Sequence, residues 1–219
     1  MNVKEGEVGQ RFSSKITSPY GGKAMKNHIE KKAKKKKEEI ILSAIKIVNQ
    51  KGYAKATMEE IAAELLMTKG SLYYYFKNKE DLIFKCHEMV LIQASKEQQE
   101  HYEQNMSNEE KLRNMIAKHI QYAIEEKETF NMLIQPKHTF SSEQLSAILM
   151  KRNEYAKWFD CVITDGIAAG EFTVADPKIV RMIILGAMNW LQQWYKVDGE
   201  KSIQEIQQLY AEYLLKMVK

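Results

Sequence analysis

A chain of 219 residues with a net charge of +4 is long enough for one large domain or two small ones around a real core. Only three prolines and ten glycines stand among abundant Glu, Lys, Gln, Met and Leu, which points to an all-α fold. Two lone cysteines, five histidines without i,i+4 pairing, and no GxSxG, Walker, HExxH or dinucleotide-binding string argue against a disulfide scaffold, a metal, a cofactor and an enzyme.

The N-terminus is polar and charged and has no signal-peptide pattern, so a cytoplasmic location is expected. Residues 1–29 lack helical periodicity and read as a basic, poorly ordered extension. A lysine run follows at Lys31, Lys32, Lys34, Lys35, Lys36 and Lys37. It reads either as a solvated helix start or as an arm lying on a nucleic-acid backbone, and its place just before the next unit favours the arm. Residues 1–37 hold 11 basic and 3 acidic side chains, a net +8. Residues 38–80 hold 6 of each, and 81–219 hold 16 against 20. One end of the chain therefore carries the positive field that a nucleic acid would meet.

Ile40, Ile41, Ala44, Ile45, Ile47 and Val48 form a helical stripe that stops at Gly52. Thr57 and Glu60 have capping-box spacing, which predicts a helix from Met58 with Ile61, Ala62 and Leu65 on its apolar face. Leu66 and Met67 make a turn, and Thr68 is a second N-cap. Leu72 and Phe76 lock the next helix onto the first, with Tyr75 turned inward. Lys69, Gly70, Ser71, Tyr73, Tyr74 and Lys77 then face outward, with no acidic side chain between Thr68 and Lys79. Lysines suit phosphates, while hydroxyls and phenols suit hydrogen bonding and packing in a major groove. Gly70 leaves the helix start bare, so backbone N–H groups can approach a phosphate. Asn78 caps a third helix, with Glu80 and Asp81 in its first turn.

Thr57, Ile61, Ala62, Thr68, Gly70, Ser71, Leu72, Tyr73, Tyr75, Phe76, Lys79 and Leu82 together resemble the helix-turn-helix string of the TetR family of bacterial transcription regulators. The likeness covers about residues 38–84. Its one departure is Leu66, where the family usually has a glycine at positive φ. The resemblance implies an N-terminal three-helix helix-turn-helix DNA-binding domain over 30–84. It also implies an effector-binding and dimerisation domain over 85–219. The expected DNA contacts are Thr57, Thr68, Lys69, Gly70, Ser71, Tyr73, Tyr74, Tyr75, Lys77 and Lys79.

Beyond this unit the periodicity predicts a helix from Lys79 to about 105, apolar first and very polar later, as a mechanical link. Ser107 with Glu110 opens a helix to about 127. Residues 128–139 read as a short helix or loop. Ser141 with Gln144 opens a long helix that Gly170 stops. Asp176 and Pro177 open the next, and Ser202 with Glu205 the last. The longest apolar run, around 182–191, is about half the ~20 residues a membrane span needs, so no membrane partner is expected. The last two helices are apolar on more than one side, which predicts pairing with a second copy as a four-helix bundle.

In TetR-like regulators the last two helices make that bundle and the preceding ones enclose a small-molecule pocket. The segment 186–202 is similar to repressors of fatty-acid and sterol catabolism that sense acyl-CoA thioesters. Pocket candidates are Met115, His119, Tyr122, Trp158, Phe159, Met188, Asn189 and Trp190, since as a group Met and aromatic side chains with an occasional polar atom suit an apolar ligand, while any one of them taken alone reads better as a core or dimer contact. Arg152, Arg181 and Lys196 read either as partners for a phosphate-bearing ligand or, equally well, as surface charges. The function this implies is a homodimeric repressor on a near-palindromic double-stranded operator, released by an acyl-CoA or fatty acid. A drug-responsive repressor, a ligand-independent DNA binder and a helical interaction protein without DNA are the competing readings.

Overall fold

The computed structural model describes residues 21–127 and 140–219. The expectation of a short helix or loop over 128–139 lies outside them. The described elements are α-helices, with no strand among the described residues. Contacts divide the chain after residue 38, and residues 39–219 form one compact unit.

Helix α1 spans Gly21–Lys51. It starts within the stretch expected to be an irregular extension, so that expectation is corrected for residues 21–29. Past the two glycines this segment is Lys, Ala, Met, Lys, Asn, His and Ile with no proline, a composition that a helix tolerates without an apolar stripe to announce it. Gly52 ends α1 at φ +80°, its N–H bonded to the Val48 carbonyl at 2.8 Å.

Helix α2 spans Met58–Glu64 and opens on the expected capping box. Thr57 Oγ1 accepts from the Glu60 N–H at 3.2 Å, and Glu60 Oε2 accepts from the Thr57 N–H at 3.2 Å. Its end is a Schellman motif. The Met67 N–H reaches the Ala62 carbonyl at 2.8 Å and the Leu66 N–H reaches the Ala63 carbonyl at 3.0 Å. Leu66 sits at the left-handed position with φ +52°, and its side chain is 96% exposed.

Helix α3 spans Lys69–Tyr75, and α4 spans Lys79–Tyr102, capped by Asn78. Ile40, Ala44 and Val48 of α1, Ile61 of α2, Leu72 of α3, Phe76, and Leu82 and Ile83 of α4 are all buried in one core. That core extends past residue 84 to Cys86, Val90 and Leu91, and it includes Phe140 and Ile148. At roughly 1.5 Å per residue, α4 is about 36 Å long and belongs to both halves of the compact unit.

Helices α5 (Asn108–Glu125), α6 (Ser142–Ala168), α7 (Pro177–Trp194) and α8 (Ile203–Leu215) complete the described chain. Each starts at the cap read from the sequence: Ser107, Ser141, Asp176 and Ser202. Leu112, Met115 and Ile116 of α5, Phe159 and Ile163 of α6, Ile184 and Met188 of α7 and Ile206 of α8 form a second core. The end of α6 is a second Schellman motif, here with Gly170 at φ +72°. The chain then folds back so that the Phe172 ring lies over Gly166, where an added Cβ would meet the ring at 2.2 Å.

Helix α7 has two apolar faces. Ile184, Met188 and Leu191 are buried, while Ile179, Ile183, Trp190 and Trp194 form a second stripe at helical spacing and are exposed. Tyr213 and Met217 are exposed as well.

Candidate nucleic-acid interface and internal cavity

The short helix α3 is held by three features. Leu72 is fully buried and Phe76 nearly so, which fixes its rotation. Thr68 Oγ1 accepts from the Ser71 N–H at 3.1 Å and lies 2.8 Å from Ser71 Oγ. Asn78 Oδ1 then accepts from the Asp81 N–H at 2.8 Å, so only Phe76, Lys77 and Asn78 separate the end of α3 from the start of α4.

With that rotation set, Thr68, Lys69, Gly70, Ser71, Tyr73, Tyr74 and Lys77 are exposed, as the sequence predicts. Tyr74 is 83% exposed, against 43% for Tyr73. An added Cβ at Gly70 would meet only Thr68 Oγ1, at 3.9 Å, so the helix start is bare. Thr57 is exposed at the start of α2, with its hydroxyl oxygen engaged in the capping box.

Three expected contact residues are placed differently. Lys69 is paired with Glu59 of α2, and that hydrogen bond raises the lysine pKa. Tyr75 is half-buried against the first core. The Lys79 ammonium donates to the Tyr53 carbonyl at 2.5 Å and lies 4.1 Å from the centre of the Tyr53 ring. Partial burial lowers its pKa. Lys79 thus ties the start of α4 to the loop after α1, a long-range pairing that local spacing does not reveal.

A cavity of about 390 Å³ lies between α4, α5, α6 and α7. Val90, Leu91, Ala94, Ala156 and Leu185 give it apolar walls, and Arg152 and Arg181 also line it. Arg181 Nε is 2.7 Å from Asp160 Oδ1. Of the expected pocket residues, His119, Tyr122 and Asn189 line the cavity. Met115, Phe159 and Met188 are fully buried in the second core instead. Trp158 donates from Nε1 to Ser95 Oγ at 3.1 Å and packs beside Tyr102. Trp190 is 65% exposed on the outer stripe of α7. Lys196 is absent from the lining. The helical period places 181, 182, 185, 186 and 189 on the cavity face, which leaves 188 and 190 to either side.

A chain of buried and half-buried polar groups runs into the cavity wall. Gln98 Nε2 donates to the Met115 carbonyl at 3.2 Å and to the Tyr155 hydroxyl at 3.0 Å. Tyr155 Oη lies 2.7 Å from His119 Nδ1, and His119 Nε2 lies 3.2 Å from Asn189 Oδ1. Burial pushes the His119 pKa down to about 4, with the Asn189 hydrogen bond opposing it. The ring is therefore neutral near pH 7. Tyr122 donates to Glu97 Oε1 at 2.6 Å, and Glu97 Oε2 is 2.8 Å from Lys118 Nζ. Gln98 and Tyr155 were not among the sequence candidates.

Residues 40–86 match the family described as bacterial regulatory proteins, tetR family, and residues 105–218 match tetracyclin repressor-like, C-terminal domain. The fatty acid metabolism regulator protein of Bacillus subtilis (strain 168) is 26% identical over 178 residues, covering 77% of this chain and 90% of that protein. A TetR/AcrR-family transcriptional regulator from Thermobifida fusca YX-ER1 superposes with TM-score 0.72 at 24% identity, covering 83% of this chain and 97% of its own. FadR from Bacillus subtilis in complex with stearoyl-CoA gives TM-score 0.68 at 23% identity, covering 83% and 99%.

Proposed function

The chain belongs to the TetR family and is a DNA-binding transcriptional regulator, not an enzyme, and we propose that it is a homodimeric repressor released from its operator by a long-chain acyl-CoA. The observation that carries this reading is the cavity. It joins apolar walls suited to an acyl chain with Arg152 and Arg181, whose guanidinium groups suit phosphate. The fatty acid metabolism regulator among its relatives and the stearoyl-CoA complex of a similar fold support the same ligand class.

The DNA-binding part is residues 30–84, with effector binding and dimerisation in 85–219. Thr57, Thr68, Gly70, Ser71, Tyr73, Tyr74 and Lys77 contact a major groove. Lys69 contributes in exchange for its Glu59 partner. The exposed stripe Ile179, Ile183, Trp190 and Trp194 is covered by a second copy, since a stripe of this size faces water in few monomers. Two subunits then read a near-palindromic operator in the cytoplasm, with half-sites whole helical turns apart. Among the described residues no helix is long and apolar enough to cross a membrane.

Gating runs through α4. Its first half is part of the core that holds α3, and Val90, Leu91 and Ala94 wall the cavity. A ligand that prefers one α4 position shifts the spacing of the two α3 helices, by no more than its differential affinity for the two states.

The test is a fluorescence-anisotropy titration on DNA from just upstream of the coding region, at two salt concentrations, with and without a long-chain acyl-CoA. Tight, salt-dependent binding relieved by the thioester is expected. Tight binding that the thioester leaves unchanged would reject acyl-CoA gating and favour a drug-responsive or ligand-independent regulator.

A further inference from the structure

The polar chain along the cavity wall has a direction. The Tyr155 hydroxyl accepts from Gln98, which leaves its own proton to donate to His119 Nδ1. The imidazole proton then sits on Nε2 and is donated to Asn189 Oδ1. Each donor is matched by an acceptor until the chain reaches Asn189. That carboxamide is half-buried, lines the cavity, and has one end occupied by His119. Its Nδ2 has no hydrogen-bond partner among the described residues. Four side chains from α4, α5, α6 and α7 thus fix one neutral NH2 donor group on a residue that lines the cavity.

We propose that the Asn189 carboxamide reads the effector's carbonyl: Nδ2 donates to the thioester oxygen, and the acyl chain lies along Leu91 and Ala94. This rests on the acyl-thioester reading given above. The donor belongs to a neutral amide whose oxygen is already engaged, so it suits a neutral acceptor such as a thioester carbonyl. Arg181, Leu185 and Asn189 are at i, i+4 and i+8 on one face of α7. The guanidinium-bearing end therefore lies two turns, about 12 Å along the axis, from the carbonyl seat. A flexible arm between a thioester and a diphosphate can follow that face. The carbonyl seat makes the cavity selective for acylated over merely alkylated thiols.

The experiment compares dodecanoyl-CoA with dodecyl-CoA, the thioether in which CH2 replaces the carbonyl, by calorimetric titration of the full-length protein. The wild type is expected to bind the thioester about tenfold more tightly, the upper range for one net hydrogen bond. Asn189→Asp keeps the volume and an acceptor for His119 but removes the donor, and Asn189→Leu removes the donor without adding charge. Each should bring the two ligands to within about twofold of each other. Equal affinities in the wild type would overturn the proposal and leave the effector reading standing. So would a preference that survives in both variants. Failure of both ligands to bind the wild type would overturn the effector reading and this one with it.

Discussion

Replacing Leu66 by glycine should stabilise this protein, although the substitution deletes a large apolar side chain. Leu66 occupies the left-handed position that ends α2, at φ +52°. For an L-residue that conformation costs roughly 1–2 kcal/mol. The side chain is 96% exposed, so truncation forfeits almost no burial. Against the relief stands the greater freedom of glycine in the unfolded chain, roughly 0.5–1 kcal/mol. The net gain for Leu66→Gly is about 0.5–1 kcal/mol, a rise in Tm of about 1–4 °C for a chain of this length. Differential scanning calorimetry of the two proteins at equal concentration measures it. The same motif at the end of α6 supplies the converse. Gly170 has φ +72° and open space around it, so Gly170→Ala adds strain without a clash and should lose about 1 kcal/mol. A Leu66→Gly protein no more stable than the wild type would refute the reasoning.

Gly166→Ala should be far more damaging, because its Cβ would stand 2.2 Å from the Phe172 ring. A loss of about 2–3 kcal/mol in urea denaturation is expected, and a neutral result would mean the ring moves aside freely. Tyr74→Ala should weaken operator binding by about 1–3 kcal/mol with unchanged Tm, because the ring is 83% exposed. Equal loss on scrambled DNA would assign Tyr74 to the backbone instead. Deleting residues 1–37 should weaken binding to all DNA sequences and flatten its salt dependence, since that segment carries a net +8. An unchanged slope would reject the basic arm. His87 is fully buried with neither ring nitrogen partnered among the described residues, and burial lowers its pKa to about 4. Because the unfolded chain binds the proton more tightly, stability should fall as pH drops from about 6.5 to 4, by about 3 kcal/mol for this residue. His87→Leu should make that acid slope shallower, and an identical slope would exclude His87 as its source.

Local chemistry made most of the helix starts readable. Thr57 with Glu60, Ser107 with Glu110, Ser141 with Gln144 and Ser202 with Glu205 each needed only four consecutive residues to be recognised, and each forms the reciprocal pair. The outward set on α3 followed from Leu72 and Phe76 alone, because two anchors four residues apart fix the rotation of a two-turn helix. Pairings across the fold were not readable. Nothing near Lys69 announces Glu59, and nothing near Lys79 announces Tyr53. The cavity failed for a related reason. Helix α7 is apolar nearly all round, so its pattern could not say which of Met188, Asn189 and Trp190 faces core, cavity or outside. Gln98 and Tyr155 are 57 positions apart and become partners only once α4 and α6 pack. The start of α1 was missed because a helix of lysines and other polar residues has no apolar period to detect.

The central claim is that operator and acyl-CoA favour different states of one dimer. Thermodynamic linkage makes it testable in one titration series: long-chain acyl-CoA into the protein alone and into the protein saturated with operator DNA. The account predicts weaker thioester binding in the presence of operator, by the same factor, about tenfold or more, by which the thioester weakens operator binding. Thioester affinity that is identical with and without operator would contradict it.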